Sequence, residues 1–345
     1  MSLRIGVLGA GMIGSWHARI LSELGGVTLA GVCDTDAARA DELAGAFGVP
    51  GWSEPERFFA EAGLDGVVIA TPEAVHAEQV EMAAAAGAGV MIEKPAAPDT
   101  AGVRAIMATV ARAGIPAMVG HVERFEPGSA LLRDAVAEGV CGKVAAVLAR
   151  RQFGPAGAEK YAASSTLRIL AVHDFDLVRW VHPAPVEEVH AVAGRGALHA
   201  AHGIDDHVIT TLRFADGAVG CVESGWTLPR AYSDFDTPAG WQGAGNNRLD
   251  VYGAAGFVSN DMALRHQPLV AFDARAGFRA AGIRHQPVVH GRVQGALRAE
   301  IEHFAHCLAT GDTPVVGLED ALRAVALVEA AERSLATGRP VRPEV

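Results

Sequence analysis

The sequence predicts a two-domain protein of the α/β class. A doubly wound parallel sheet stands at the N-terminus, and an α+β domain with a large, mostly antiparallel, open-faced sheet follows. Three observations carry this. Short apolar runs alternate with amphipathic stretches up to about Gly120. A glycine-rich turn joins the first run to the first amphipathic stretch. Beyond Val122 the rhythm changes to β-rich runs with hairpin punctuation. The length, 345 residues, agrees with two domains, because single cores stop growing near roughly 250–300 residues. The boundary is placed between residues 121 and 122.

In order, residues 4–9 (RIGVLG) read as a buried strand and 12–24 as a helix. Residues 29–33 are a second strand and 37–47 a helix with apolar residues at helical spacing. Further strands are expected at 66–70, 89–93 and 117–120, with helices at 73–86 and 101–113. Short, fully apolar strands between helices mean a parallel sheet covered on both faces. Right-handed crossovers then wind it twice.

The second half opens with a helix at 130–138 and a strand at 144–151. A strongly amphipathic helix spans 167–180. Strands follow at 186–192, 207–214, 218–226, 248–252 and 256–259. Ala215-Asp216-Gly217 punctuates two of them as a hairpin turn. Helices at 298–309 and 318–336 close the chain, and the glycine-rich 239–247 reads as a loop.

Composition excludes several classes. The formal net charge of -11 argues against nucleic acid or an anionic membrane surface as a partner. No apolar stretch approaches the roughly 20 residues of a membrane span. The first residues lack the basic region and cleavage site of a signal peptide. The 4 cysteines, Cys33, Cys141, Cys221 and Cys307, are far apart and read as free thiols of a reducing compartment. The protein is therefore expected in the cytoplasm.

Gly9, Gly11 and Gly14 match G-x-G-x-x-G, directly after a strand and at the opening of a helix. Gly9 allows the tight turn, Gly11 the approach of a pyrophosphate, and Gly14 close packing of helix on strand. With Met12 and Ile13, the helix start offers N–H groups and a positive dipole end to an anion. This is the dinucleotide fingerprint of a Rossmann domain. Asp34 lies 20 residues past Gly14, where a carboxylate accepts from ribose hydroxyls and repels a 2′-phosphate. It favours NAD over NADP. The competing reading makes Asp34 a helix cap, a duty Asp36 can serve equally well.

Lys94, in Glu93-Lys94-Pro95, ends a strand at the edge of the ligand crevice. It could meet a substrate hydroxyl or simply lie in solvent. His173 shares a helical stripe with Leu170 and Leu177, with Asp174 adjacent and Asp176 one turn on. It reads as an oriented acid–base or as a satisfied core histidine. His199, His202, Asp205, Asp206 and His207 could suggest a metal site. The better reading is a polar loop before a strand, and no metal is expected.

Together these residues resemble the Gfo/Idh/MocA family of sugar and polyol dehydrogenases, over nearly the whole chain. The resemblance runs through Gly9–Gly14, Asp34, Thr71-Pro72 with His76, Glu93-Lys94-Pro95, residues 120–127, His173 to Asp176, and the turn at 214–217. It implies that Lys94 contacts the reacting hydroxyl and that His173 is the general acid–base, with Asp176 nearby. Thr71, Pro72 and His76 would border the cofactor, and Glu93 the nicotinamide ribose. His121 and Arg124 would lie near the nicotinamide end. The resemblance further implies a homodimer or homotetramer built through the C-terminal sheet.

One departure stands out. The family carries an acidic residue four positions before the histidine; here that position is Ile169, and Asp174 or Asp176 would have to compensate. The expected reaction is hydride transfer between NAD and a secondary alcohol of a sugar, an inositol-like polyol or a nucleotide sugar. Tyr161, Arg168, Asp174 and Trp226 are further candidates for contact with this small-molecule substrate. Two rivals are a glycosidase or epimerase that uses NAD transiently, and a dinucleotide-sensing regulator without activity.

Overall fold

The computed structural model describes residues 2–160, 164–229, 245–261, 270–273, 277–280 and 286–345. The chain forms two compact units. The first takes Met1–Val122 with Val288–Val325, the second Glu123–Pro287 with Ala326–Val345.

The first unit begins with β1 (Leu3–Leu8), α1 (Met12–Glu23), β2 (Val27–Cys33) and α2 (Ala37–Phe47). It continues through β3 (Gly51–Trp52), α3 (Pro55–Glu61), β4 (Gly66–Ile69), α4 (His76–Ala85), β5 (Gly89–Glu93), α5 (Thr100–Ala113) and β6 (Ala117–Gly120). All six strands run parallel in the order β3-β2-β1-β4-β5-β6. The order reverses between β1 and β4, and ligands bind beyond the carboxyl ends of strands at such a switch point. Local sequence sets the helix limits. Asp36 caps α2 by accepting from the N–H groups of Ala38 and Arg39, and Gly48 ends it in the left-handed region. Asp99 and Gly114 do the same for α5. β3 and α3 have no counterpart in the sequence reading.

The second unit contains α6 (Pro127–Ala137), β7 (Val144–Gln152), α7 (Pro155–Lys160) and α8 (Val172–Val181). Then come β8 (Val186–Gly194), α9 (Ala197–His202), β9 (His207–Phe214), β10 (Val219–Gly225), β11 (Arg248–Gly253) and β12 (Phe257–Asp261). The sheet order is β12-β11-β7-β10-β9-β8. The β7–β10 pair is parallel and the other pairs are antiparallel, so the sheet is mixed. In β9 buried and exposed residues alternate strictly, the mark of a sheet covered on one face only. The helix expected over 167–180 forms without a break, but its first turn is wound differently. A π-helical turn, Leu167–Ala171, precedes α8.

The chain then returns to the first unit. After short hairpins at Val270–Asp273 with Gly277–Ala280 and at Val288–Val289 with Arg292–Val293, α10 (Ala296–Thr310) packs against α1 and the sheet. A Cβ on Gly66 or Gly89 would collide with Leu308 of α10. A single boundary at residue 122 does not include this return. The division falls again within α11 (Leu318–Thr337).

Candidate functional site

The glycine turn after β1 is built as its spacing requires. Gly9 has φ +105°, a region L side chains rarely adopt, and a Cβ there would press on the Ala70 carbonyl. A Cβ on Gly14 would collide with the Gly9 oxygen. Gly11 precedes α1 with open space where its Cβ would stand, and as N-cap it brings no side-chain bond to the helix start. Met12 is exposed on this turn and Ile13 half-buried.

Asp34 follows β2 and is 9% exposed. Its Oδ2 accepts from the Ala10 N–H at 2.7 Å and its Oδ1 from the Asp36 N–H at 2.9 Å. The carboxylate thus pins the glycine turn, and the capping duty falls to Asp36. Arg39 lies 3.7 Å from Asp34 and 3.2 Å from Asp36.

The turn after β4 is braced from within. The Thr71 hydroxyl donates to Gln79 at 2.6 Å. His76 is buried between two carbonyls, with Nε2 2.9 Å from Thr71 O and Nδ1 3.1 Å from Ala96 O. It ties this turn to the loop after β5, and burial pushes its pKa below the usual histidine range. Pro72 leads into a short 3₁₀ turn, Glu73–Val75.

Glu93 ends β5. Its Oε1 lies 2.7 Å from Nε2 of His17, and its Oε2 accepts from the Lys94 N–H at 3.2 Å. Burial pushes this carboxyl up, but His17 and Lys94 outweigh it and hold the group below the usual range. His17, on α1, is fully buried and was missed in the sequence: a lone histidine on an apolar helical face carries no signal of its partner. Lys94 is half-buried and joined to Pro95 by a cis peptide. His121 follows β6 and is buried. Glu93, Lys94 and His121 therefore gather at the carboxyl ends of adjacent strands.

In the second unit His173 stands half-buried in the first turn of α8, directly after the π-helical turn. Such turns are frequent at functional sites. Asp176 is buried in a two-bonded pair with Arg124, with Oδ2 2.7 Å from Nε and Oδ1 2.5 Å from Nη2. Arg124 also lies 5.4 Å over the Trp180 ring. Asp174 forms a second such pair with Arg151, both contacts 3.0 Å, and Arg151 also donates to Glu123 at 2.6 Å. These two carboxylates are charge-compensated by guanidinium groups.

Three of the candidate site residues are engaged with partners inside the second unit. Arg168 makes a two-bonded pair with Glu332, at 2.8 and 2.6 Å. Trp226 is 2% exposed and sits in an apolar cluster with Leu170 and Leu198; its Nε1 donates to Thr166 at 3.1 Å. Its large apolar body explains the burial. Arg124 has two donors committed to Asp176. Tyr161 lies outside the described residues. Ile169 packs on the Trp226 cluster. Asp206 accepts from the N–H groups of Gly196, Leu198 and His199 and so caps α9, a helix where the sequence reading had a loop.

Comparison with known proteins agrees with this layout. Residues 3–121 match the family described as "Oxidoreductase family, NAD-binding Rossmann fold", and residues 130–259 match the "GFO/IDH/MocA C-terminal domain". An inositol 2-dehydrogenase of Rhizobium meliloti is 31% identical over 350 aligned positions, covering 99% of each chain. A scyllo-inositol 2-dehydrogenase (NAD(+)) of Bacillus subtilis is 29% identical over 352 positions, covering 99% of this chain and 97% of the relative. The crystal structure of a myo-inositol dehydrogenase from Corynebacterium glutamicum superposes with a TM-score of 0.82 at 26% identity, covering 100% of both chains.

Proposed function

Because the chain belongs to the Gfo/Idh/MocA oxidoreductase family, we propose that it oxidises a ring hydroxyl of an inositol-like polyol, with NAD as its cofactor. The family makes it an NAD(P)-dependent oxidoreductase acting on CH–OH groups. The observation that carries the substrate class is the likeness to inositol 2-dehydrogenases along 99% of both chains.

The first unit suits a dinucleotide. Gly9 and Gly14 leave no room for a Cβ, while the Gly11 side of the turn is open. Gly9–Gly14 would hold the pyrophosphate at the start of α1. Asp34 uses two of its roughly four lone-pair sites on Ala10 and Asp36, and the remainder can accept from ribose hydroxyls. A 2′-phosphate would face this carboxylate, which supports NAD over NADP.

Bound NAD supplies the hydride acceptor. Lys94 would donate to the reacting oxygen and stabilise the charge that develops there. His173 would take the hydroxyl proton as general base, a contribution typically worth about 10²–10⁴-fold. A half-buried imidazole on a helix suits that task. The reading also places the enzyme in the cytoplasm. In support, all four cysteines are free thiols, and no helix among the described residues is long and apolar enough to cross a membrane.

The test is a panel of inositols, aldoses and nucleotide sugars offered with NAD and, separately, with NADP, read by formation of the reduced cofactor. Turnover is expected with an inositol-like polyol and NAD. Activity confined to nucleotide sugars, or a tenfold preference for NADP, would sink the corresponding half of the reading.

A further inference from the structure

The first unit buries a carboxyl group that the reaction above does not use. Glu300, on α10, is 0% exposed, and neither carboxyl oxygen finds a hydrogen-bond partner among the described residues. An uncompensated buried carboxylate is strongly unfavourable, so such a group takes up a proton instead.

Its surroundings follow from two periodicities. Gly66 and Gly89 are cross-strand partners in β4 and β5, and Leu308 of α10 covers both. Along β5 that face belongs to residues 89, 91 and 93, so Glu93 shares it. Along α10 the same stripe runs from Leu308 through Phe304, which lies against Gly66, to Glu300. α1 packs along α10 on this face and brings His17 to Glu93. The charged group acting on Glu300 is thus Glu93 from β5, itself paired with His17 from α1 and followed by Lys94; β4 contributes none. Arg19 and Glu23, further along α1, are engaged with each other and with Arg298. His76 of α4 also feels the Glu93 charge.

We propose that Glu300 is a positioning residue of the dinucleotide half: retained as the neutral acid, it leaves Glu93 the single negative charge of a buried His17–Glu93–Glu300 group and so keeps Glu93 fixed to His17 and to the Lys94 backbone. Burial and then the charge on Glu93 push the Glu300 carboxyl well above the usual carboxylate range. The same burial acts on Glu93, where His17 and Lys94 reverse it. Two carboxyls in one environment are thereby driven apart. A second charge at Glu300 would favour a proton on Glu93 and weaken its hold on the N–H of Lys94.

The sign of the linkage gives the test. The unfolded chain releases the Glu300 proton near pH ~4.3, and the folded chain keeps it. Over that window the native state binds more protons, so its stability falls as pH rises. Urea unfolding of the full chain and of Glu300→Gln, from roughly pH 5 to pH 9, should show midpoints that diverge with pH, the variant gaining. The divergence should approach tenfold in the folding equilibrium constant per pH unit until Glu300 ionises in the folded state. A constant difference would overturn the neutral acid. So would an infrared spectrum at neutral pH in which no protonated-carboxyl band disappears with Glu300→Gln. The same pair in a Glu93→Gln background tests the coupling: the divergence should end at lower pH, because one of its two causes is gone. Equal divergence in both backgrounds would overturn the positioning role. These readouts need no substrate, so they stand or fail apart from the polyol reading.

Discussion

Arg124 and Lys94 are both cations in family motifs, yet they should respond to mutation in opposite ways. Arg124 is buried and holds both oxygens of Asp176. Removing one partner of a buried pair leaves the other charge uncompensated, typically at about 3–5 kcal/mol. Arg124→Met should therefore lower the unfolding free energy by about that amount, read as a fall in the urea midpoint at unchanged m. A variant as stable as the parent would show that the pair is not an essential brace. Lys94 is half-buried at a strand end, and the dinucleotide is held elsewhere in this reading, by Gly9–Gly14 and Asp34. Lys94→Met should keep NAD affinity nearly unchanged in a fluorescence titration and lose roughly 10²–10⁴-fold in kcat, as should His173→Asn. Full turnover by Lys94→Met on a confirmed substrate would end its proposed role.

At the scale of elements, the doubly wound sheet was legible because its strands are short, wholly apolar and spaced by amphipathic helices. α2, β5 and β6 begin and end where the sequence reading put them. β3 and α3 escaped because two and seven residues are too few to display a period. α9 escaped because His and Asp around it read as loop, when Asp206 supplies the cap from ten residues beyond Gly196. The return of α10 to the first unit and the His17–Glu93 contact were not legible at all: both depend on which face an element presents to partners distant in sequence. The π-helical turn before α8 belongs to the same class, since its residues keep an ordinary helical pattern. Ile169 sits within that turn and packs on the Trp226 cluster. Ile169→Asp would restore the family carboxylate one turn from His173, where a carboxylate can orient an imidazole. We expect higher kcat together with a lower Tm, because the acid replaces an apolar contact. A fall in both would show that this chain does not miss the carboxylate.

At the scale of the whole molecule, the second sheet raises the question of its open face. Strand register places Leu148 of β7, Cys221 of β10, Ile209 of β9 and Val192 of β8 on one side, with Tyr252 and Phe257 stacked at the far edge. Val192 is 55% and Phe257 63% exposed, and single chains in water seldom leave many large apolar side chains uncovered on one sheet face. The surrounding charges are paired within the face, Arg150 with Glu223 and Arg213 with Glu187, so their presence does not forbid burial against a like surface. A second copy of the same chain is the simplest cover, because a two-fold axis lets one patch meet itself without a further partner. We propose a homodimer, or a homotetramer built from it, through this sheet. Light scattering at micromolar concentration should report twice or four times the chain mass. Val192 and Ile209 are direct cross-strand neighbours on the two outermost strands at one side of the sheet, so Val192→Lys with Ile209→Lys would put two like charges into that side of such an interface. That variant should scatter as a monomer while retaining the circular dichroism of the parent, since neither side chain supports the covered face of the sheet. A parent chain that is already monomeric, or a double variant that stays assembled, would show that the apolar face is covered in some other way.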